Sequence, residues 1–318
     1  MTSIIVAIDT TTLQYGLSGS LRPHVTIPLP SPFVNALEGA TTSSSHIPLN
    51  PLLPTIVQIT HALSTADRPE TPWYVQIIHF HPPSTFVSAL KSSISSLGQS
   101  HVLPSRPSAP VSFRFGPAPA LCSIGARNGL VVGMSPNLTR VAAMAGGFVI
   151  ESSNVTVPVG TKDLRAIIGD GDEVTELGGD DEGRLDVLEA LESTVLSAKK
   201  GSRNASYNGD MNLARAIVAS VKSCAVDSRV AVASTVMIVG GGEWLELFAT
   251  EEVAAKFEKA CKAVYDEGGA TPSKVEFKIR RKGHVKKEHG IWCGMSVIAA
   301  VDAANEGSKP RTTKAGFF

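Results

Sequence analysis

The sequence predicts a duplicated α/β fold, because one pattern of strand, polar turn and returning strand opens each half of the chain. In the first half, this pattern occupies residues 4–19 and begins with a β-branched run. In the second half, an apolar strand at 130–132 leads into the turn Ser135-Pro136-Asn137 and a strand expected to run toward residue 148. Proline presets the turn backbone and asparagine tolerates its unusual conformations. Two such units indicate an internal duplication.

Composition limits the class of protein. The 318 residues are 43% hydrophobic and 18% charged, with a formal net charge of +0. This length and apolar content suit one large bilobal domain or two ordinary ones. A neutral chain argues against nucleic acid or an anionic membrane as the main partner, because both require clustered Lys and Arg. No apolar run approaches the roughly 20 residues of a membrane span, and an opening strand gives no sign of a signal peptide.

Cysteine spacing favours free thiols over metal ligands. The chain has four cysteines, far apart in sequence and without a Cys-x-x-Cys pair. We therefore expect buried, reduced thiols in a cytosolic or nuclear protein, with neither zinc nor disulfide bonds. The residues concerned are Cys122, Cys224, Cys261 and Cys293.

Apolar periodicity and turn residues predict the remaining elements in order. Short strands fit the segment 4–27, and the Pro- and Ser-rich stretch 28–54 is predicted to be a loop or mobile insert. The acidic, Gly-rich stretch 169–183 is predicted to be a solvated loop. Helices are predicted at 52–63, 82–97, 162–168, 185–199, 213–222, 251–265 and 290–304, and strands at 73–80, 155–159, 234–239 and 275–279.

Four segments, at 159–164, 217–229, 234–241 and 290–299, carry a family resemblance. The segments 159–164 and 217–229 resemble the Gly-x-Asp-Leu start of the upper lobe and a helix with an Asp-x-Arg loop in the actin and actin-related proteins. The segments 234–241 and 290–299 resemble the adenosine-binding strand with its glycine turn, and the Trp-x-Gly-x-Ser hinge with the last large helix of the same family. The resemblance covers most of the chain. Within the family, the sequence is most similar to the divergent actin-related subunit at the pointed end of dynactin.

The resemblance implies an actin-like fold, which is shared with Hsp70 and the sugar kinases. Such a fold duplicates a ribonuclease-H-like domain and carries an inserted lobe in each half. The corresponding halves here are 1–110 and 111–318, and their inserts, at about 28–54 and 169–212, are reduced.

The resemblance also implies a nucleotide cleft at the two hairpin turns and at the glycine turn after the strand 234–239. ATP or ADP with Mg²⁺ is expected there as a structural ligand, with an empty cleft as the alternative. Gln14 lies nearest to the place of the family's phosphate-binding lysine. Ordinary polar turns are the alternative interpretation of these residues. The predicted nucleotide-binding residues are Asp9, Thr10, Thr11, Thr12, Ser135, Asn137, Gly240, Gly241, Gly242 and Glu243.

Hydrolysis is not expected, because the second phosphate loop departs from the family pattern. The family has Asp-Ser-Gly-Asp-Gly where this chain has residues 133–137, Gly-Met-Ser-Pro-Asn, so both acidic residues are missing. Pro136 also lacks an N–H donor, and Pro117 lies near the place of the water-orienting glutamine. Catalysis requires metal, water and γ-phosphate to be positioned together. No catalytic or metal-binding residue is therefore predicted.

The reduced inserts predict a subunit that ends a filament. In the family the inserts form the pointed-end lobes, whereas the segments 82–97, 217–229 and 290–304 belong to the retained barbed-end face. A head-to-tail subunit with one binding face can join a filament but not extend it. We expect a cytoplasmic, cytoskeletal protein that caps the actin-like filament of dynactin and binds its filament subunits and pointed-end accessory proteins in dynein-based transport. The alternatives are an active actin-like ATPase or sugar-kinase relative, and a scaffold of a nuclear chromatin-remodelling complex.

Overall fold

The computed structural model describes residues 3–8, 12–20, 22–34, 73–77, 87–88, 90–92, 111–115, 117–163, 212–240, 250–267, 274–280 and 290–308. Within these ranges the chain is a mixed α/β protein with two five-stranded sheets. The strands are β1 (Ile4–Ile8), β2 (Thr12–Leu17), β3 (Val25–Pro28), β4 (Trp73–Ile77), β5 (Val111–Phe115), β6 (Gly129–Met134), β7 (Thr139–Ala145), β8 (Phe148–Val149), β9 (Val155–Val157) and β10 (Val236–Gly240). The helices are α1 (Ala118–Ser123), α2 (Leu213–Lys222), α3 (Val226–Ala233), α4 (Glu251–Asp266) and α5 (Gly290–Ser308), with a 3-10 turn at Glu151–Ser153.

The two sheets agree in the order of four strand positions. The first sheet runs β3-β2-β1-β4-β5; its first three strands are antiparallel, and β1, β4 and β5 are parallel. In the second sheet β8 and β9 pair with one edge of β7, which is followed by antiparallel β6 and then by parallel β10. A parallel bridge also joins Val236 to Ile279. Each sheet therefore combines an antiparallel hairpin with a parallel strand on the hairpin's first strand.

The hairpins form where the sequence places them. All five residues of β1 are buried and apolar, as expected of a central strand with both faces covered. The returning strand of the second hairpin is shorter than predicted, because β7 ends at Ala145. Gly146 and Gly147, with φ of 62° and 92°, form a two-residue turn into β8. Only glycine adopts such a pair of conformations readily, so the Gly-Gly dipeptide was the available signal.

α1 and α5 each follow one sheet in the chain and pack on the other. α1 follows the first sheet, yet its Leu121 belongs to a cluster with Val131 of β6 and Val239 of β10. α5 follows the second sheet, yet its Trp292 clusters with Ile5 of β1. The two helices also contact each other closely. They therefore form a layer that lies against one face of each sheet.

α2 and α4 cover the opposite face of the second sheet. The side chain of Asn212 accepts a hydrogen bond from the Arg215 N–H at 2.8 Å, which satisfies one of the free donors at the start of α2. The apolar side of the helix then packs with Val132 of β6 and Phe257 of α4. Ile217, Val132 and Phe257 are all fully buried.

The helices predicted at 213–222, 251–265 and 290–304 are confirmed with small changes at their ends. Residues 87–88 and 90–92 of the helix predicted at 82–97 are helical, as are 161–163 of the helix predicted at 162–168. The strand predicted at 73–80 is described over Trp73–Ile77. The helices predicted at 52–63 and 185–199 and the loop at 169–183 lie outside the described residues.

Two expectations need correction. The start of the Pro- and Ser-rich stretch is not a loose loop: residues 31–34 are helical, and Phe33 and Val34 are buried. The segment 275–279 alternates buried and exposed residues as a strand would, but it pairs only through the bridge to Val236. The reason is that its Lys278 N–H bonds to the carbonyl of Ala233, which ends α3, before β10 begins.

Candidate functional site

Four of the predicted nucleotide-binding residues are described. Thr12 opens β2, Ser135 and Asn137 lie in the turn between β6 and β7, and Gly240 ends β10. The others, namely Asp9, Thr10, Thr11, Gly241, Gly242 and Glu243, lie outside the described residues.

The carboxyl ends of β6 and β10 meet at one edge of the second sheet. The parallel register pairs Gly240 with Met134, the residue before Ser135. Gly240 has a φ of 76°, a left-handed conformation that a side chain would strain. The backbone therefore turns sharply at this edge, where open α/β sheets commonly bind ligands.

Two hydrogen bonds from Ser135 close the turn between β6 and β7. The backbone N–H of Ser135 donates to the carbonyl of Leu138 at 2.9 Å, and the Ser135 hydroxyl donates to the same carbonyl at 2.8 Å. Pro136, the next residue, has no N–H. Ser135 is buried, whereas Asn137 is exposed.

The segment 159–162 forms hydrogen bonds with this turn and with the start of β7. The N–H groups of Thr161 and Lys162 donate to the carbonyls of Ser135 and Pro136, each at 3.0 Å. The hydroxyl of the buried Thr139 donates to the Val159 carbonyl at 2.6 Å. The turn carbonyls thus satisfy N–H groups at the start of the helical turn 161–163.

The segment 159–162 forms a clamp on this turn, and Gly160 makes the closest contact of the clamp. A Cβ atom at Gly160 would lie 2.3 Å from the Pro136 carbonyl oxygen and 2.6 Å from the Asn137 nitrogen. The Asp163 carboxylate accepts the Gly160 N–H at 2.8 Å, as the N3 side chain does in a capping box. Sequence reasoning did not assign these roles, although an acidic residue three positions after Gly160 was a usable signal.

The second turn therefore does not fit a backbone cradle for phosphate. Such cradles need several N–H groups that converge on the anion. Here the Ser135 donors point at Leu138, Pro136 has none, and Gly160 packs against the 136–137 peptide. Within the described ranges, no group of three His, Cys, Asp or Glu side chains is arranged to hold a metal ion.

Gln14 and Arg140 are buried polar residues, each at the second position after the connection of its hairpin. Gln14 pairs with Ala7, on the face of the first sheet that packs against α5. Arg140 pairs with Gly133, on the face of the second sheet that packs against α1. Their side chains are nearly inaccessible, at 5% and 8% exposure. The hairpin registers thus give Gln14 and Arg140 equivalent places, each facing the helical layer between the sheets.

The Trp-x-Gly-x-Ser motif of α5 joins the two halves. The indole N–H of Trp292 donates to the Ser20 carbonyl at 2.9 Å, and the Ser296 hydroxyl accepts the Gly19 N–H at 2.7 Å. A Cβ atom at Gly294 would lie 1.6 Å from the Pro119 carbonyl oxygen of α1. Each motif residue therefore has its own contact, and Trp292 is fully buried.

The Asp-x-Arg segment is helical, contrary to the predicted loop. Asp227 and Arg229 lie in the first turn of α3. The Arg229 guanidinium donates to the carbonyls of Cys224, at 3.0 Å, and Lys222, at 2.6 Å. A cation that bonds to the last carbonyls of a helix stabilises its C-terminus, so Arg229 fixes α3 against the end of α2.

All four cysteines are free thiols. Cys224, Cys261 and Cys293 are buried, as predicted, whereas Cys122 is only half-buried. Burial raises the pKa of each thiol. The increase is largest for Cys261, where burial is the main cause and the nearby Glu258 carboxylate adds to it.

Comparison with known proteins leaves the family unassigned. No protein-family model matches the chain, and no curated protein matches it. None of the helices in the described ranges combines the length and apolar character needed to cross a bilayer.

Proposed function

We propose that the chain is a non-catalytic actin-related protein that caps the pointed end of the actin-like filament of dynactin. The observation that carries the proposal is the strand order that the two sheets share at four positions, together with α1 and α5, each of which follows one sheet and packs on the other. A duplicated ribonuclease-H-like domain has this plan. The order of the four resembling segments then favours the actin branch of that fold.

The lack of hydrolysis follows from the second turn. Its nearest N–H donors serve the turn itself, it contains Pro136, and it has no acidic residue. Without an acidic ligand for metal and water, the barrier to phosphoryl transfer stays high. The bound nucleotide would be a structural ligand, and the role of the protein would be assembly in the cytoplasmic cytoskeleton.

Filament capping needs one binding face, and two exposed apolar helix faces offer it. Val226 and Val230 of α3 are 71% and 49% exposed, and Val297 and Val301 of α5 are 49% and 52% exposed. Each pair is spaced by four residues and so lies on one side of its helix. Both helices belong to segments expected on the barbed-end side, which would contact the last filament subunit.

Binding to preassembled short actin-like filaments tests the proposal. The wild-type chain should co-elute with the filaments, block growth from the bound end and fail to polymerise alone. Val226→Asp with Val230→Asp should reduce co-elution at least about tenfold, because carboxylates would be desolvated in the interface.

Val25→Asp is the matched control, since Val25 is also an exposed valine, in β3. It should bind filaments as the wild type does. Polymerisation of the chain alone, or magnesium-dependent ATP turnover above background, would contradict the proposal and favour an active actin-like ATPase.

A further inference from the structure

We propose that Glu258 of α4 closes the free edge of the second sheet, so that a strand of another chain cannot pair with it. The edge is the segment 274–280, which the parallel bridge to Val236 places beside β10. Among the described residues, no strand pairs with the outer side of this segment. The inference concerns self-association of the chain, and it does not rest on the proposed function.

The hydrogen bonds to β10 show which backbone groups of the segment face outward. The Val236 N–H donates to the Lys278 carbonyl, and the Arg280 N–H donates to the Val236 carbonyl, each at 2.8 Å. Residues 278 and 280 therefore bond toward β10. Successive residues of a paired strand bond to opposite sides, so the N–H and C=O groups of Ile279 point away from β10, to the open side of the sheet.

Glu258 occupies the outward donor of this edge. Its Oε1 atom accepts the Ile279 N–H at 2.8 Å. The neighbouring Phe257 is fully buried in the core that covers the second sheet, so α4 holds the carboxylate in place. An open edge offers unpaired N–H and C=O groups to which another chain can pair. The carboxylate fills the position that a carbonyl of an added strand would take.

The segment otherwise has the pattern of a strand that another chain could extend. Val275, Phe277 and Ile279 are buried, and the residues between them are exposed. The exposed positions carry both signs of charge, and Lys278 pairs with Glu276 at 3.2 Å. Mixed charges repel a second copy of the chain less than a row of lysines would. The bond from Ile279 to Glu258 therefore carries most of the protection against pairing of two copies.

Sedimentation velocity of the whole chain over a range of concentrations tests the assignment. Glu258→Ala should dimerise at least about tenfold more tightly than the wild type, because the freed N–H gains an acceptor only in the dimer. Glu258→Gln should behave as the wild type, since its amide oxygen accepts the same N–H. Glu258→Met keeps the length of the side chain without that oxygen and should dimerise as Glu258→Ala does, which guards against a result caused by lost packing.

Amide hydrogen exchange separates edge pairing from the association of misfolded chains. In Glu258→Ala, exchange at Ile279 should be fast in dilute solution and slow in the dimer, where the second chain supplies the acceptor. Glu276→Ala is the matched control, because it removes an exposed carboxylate of the same segment whose printed contact is the ion pair with Lys278, and it should associate no more than the wild type.

Three results would overturn the inference. The first is that neither Glu258→Ala nor Glu258→Met associates more tightly than the wild type. The second is that Glu258→Gln associates as tightly as Glu258→Ala, and the third is that association leaves exchange at Ile279 unchanged.

Discussion

The hairpins β1–β2 and β6–β7 share one backbone plan, and their anchors within the described residues lie at different ends. Their connections have equal length, residues 9–12 between Ile8 and Leu13 and residues 135–138 between Met134 and Thr139. The described anchors of the first hairpin follow β2, where Gly19 and Ser20 bond to α5. The second hairpin is anchored at its turn, by the segment 159–162.

This difference gives the two hairpins different structural roles within the described residues. The anchor on the first hairpin joins the halves of the molecule, since α5 comes from the other end of the chain. The anchor on the second hairpin donates hydrogen bonds to the carbonyls of the turn, and its Gly160 packs against the turn backbone. A phosphate cradle needs a turn with free N–H groups, and in the second turn the Ser135 N–H already bonds to the Leu138 carbonyl.

The largest expected effect breaks the contact between α1 and α5. Gly294→Ala would place a Cβ atom 1.6 Å from the Pro119 oxygen, and the contact is with backbone, so no side-chain rotation relieves it. We expect a loss of about 3 kcal/mol or more in the free energy of unfolding, measured by denaturant titration.

Val301→Ala is the control on the same helix, at an exposed position. It should stay within about 0.5 kcal/mol of the wild type. Equal stability of Gly294→Ala and the wild type would show that α1 and α5 do not cross as closely as described.

The second prediction releases the turn between β6 and β7. Gly160→Ala would bring a Cβ atom to 2.3 Å from the Pro136 oxygen, and we expect a loss of about 2 kcal/mol. Amide hydrogen exchange should become faster at Thr161 and Lys162, because their N–H groups bond to the turn.

Lys162→Ala keeps the backbone bond and removes only an exposed side chain, so exchange at 161 and 162 should not change. If Gly160→Ala leaves exchange slow at both amides, the clamp does not hold the second hairpin.

Sequence patterns predicted the hairpins because their determinants are local. β-branched runs, the Ser-Pro-Asn turn and apolar periodicity specify β1, β6, α2 and α4 without reference to the rest of the chain. The clamp at Gly160 and the packing of α1 against α5 depend on close contacts between residues far apart in sequence, such as Gly294 with Pro119. No local pattern encodes such a contact, although the Trp-x-Gly-x-Ser motif marked one side of it. The burial of Arg140 likewise appears only when register places it opposite Gly133.

The third prediction concerns the anchor of the first hairpin. Ser296→Ala removes the hydroxyl that accepts the Gly19 N–H at 2.7 Å, and it leaves a partly buried donor without that acceptor. We expect a loss of about 1 kcal/mol. Ser123→Ala is the matched control, because the Ser123 hydroxyl bonds only locally, to the Ala120 carbonyl in α1. If both variants lose the same stability, the bond to Gly19 adds nothing specific to the joining of the halves.

The smallest effect is a pH dependence from Cys261, inside the core that covers the second sheet. Burial, aided by Glu258, raises its pKa above the ordinary 9.0, so the folded thiol keeps its proton where the unfolded thiol loses it. The unfolded state then binds fewer protons, and stability falls as pH rises through the unfolded pKa. At pH 9 about half of the unfolded chains carry an ionised Cys261, which lowers the free energy of unfolding by about 0.4 kcal/mol. Denaturant titrations at pH 7 and pH 9 should therefore show a smaller decline for Cys261→Ala than for the wild type, and an equal decline would mean that Cys261 is solvated in the folded protein.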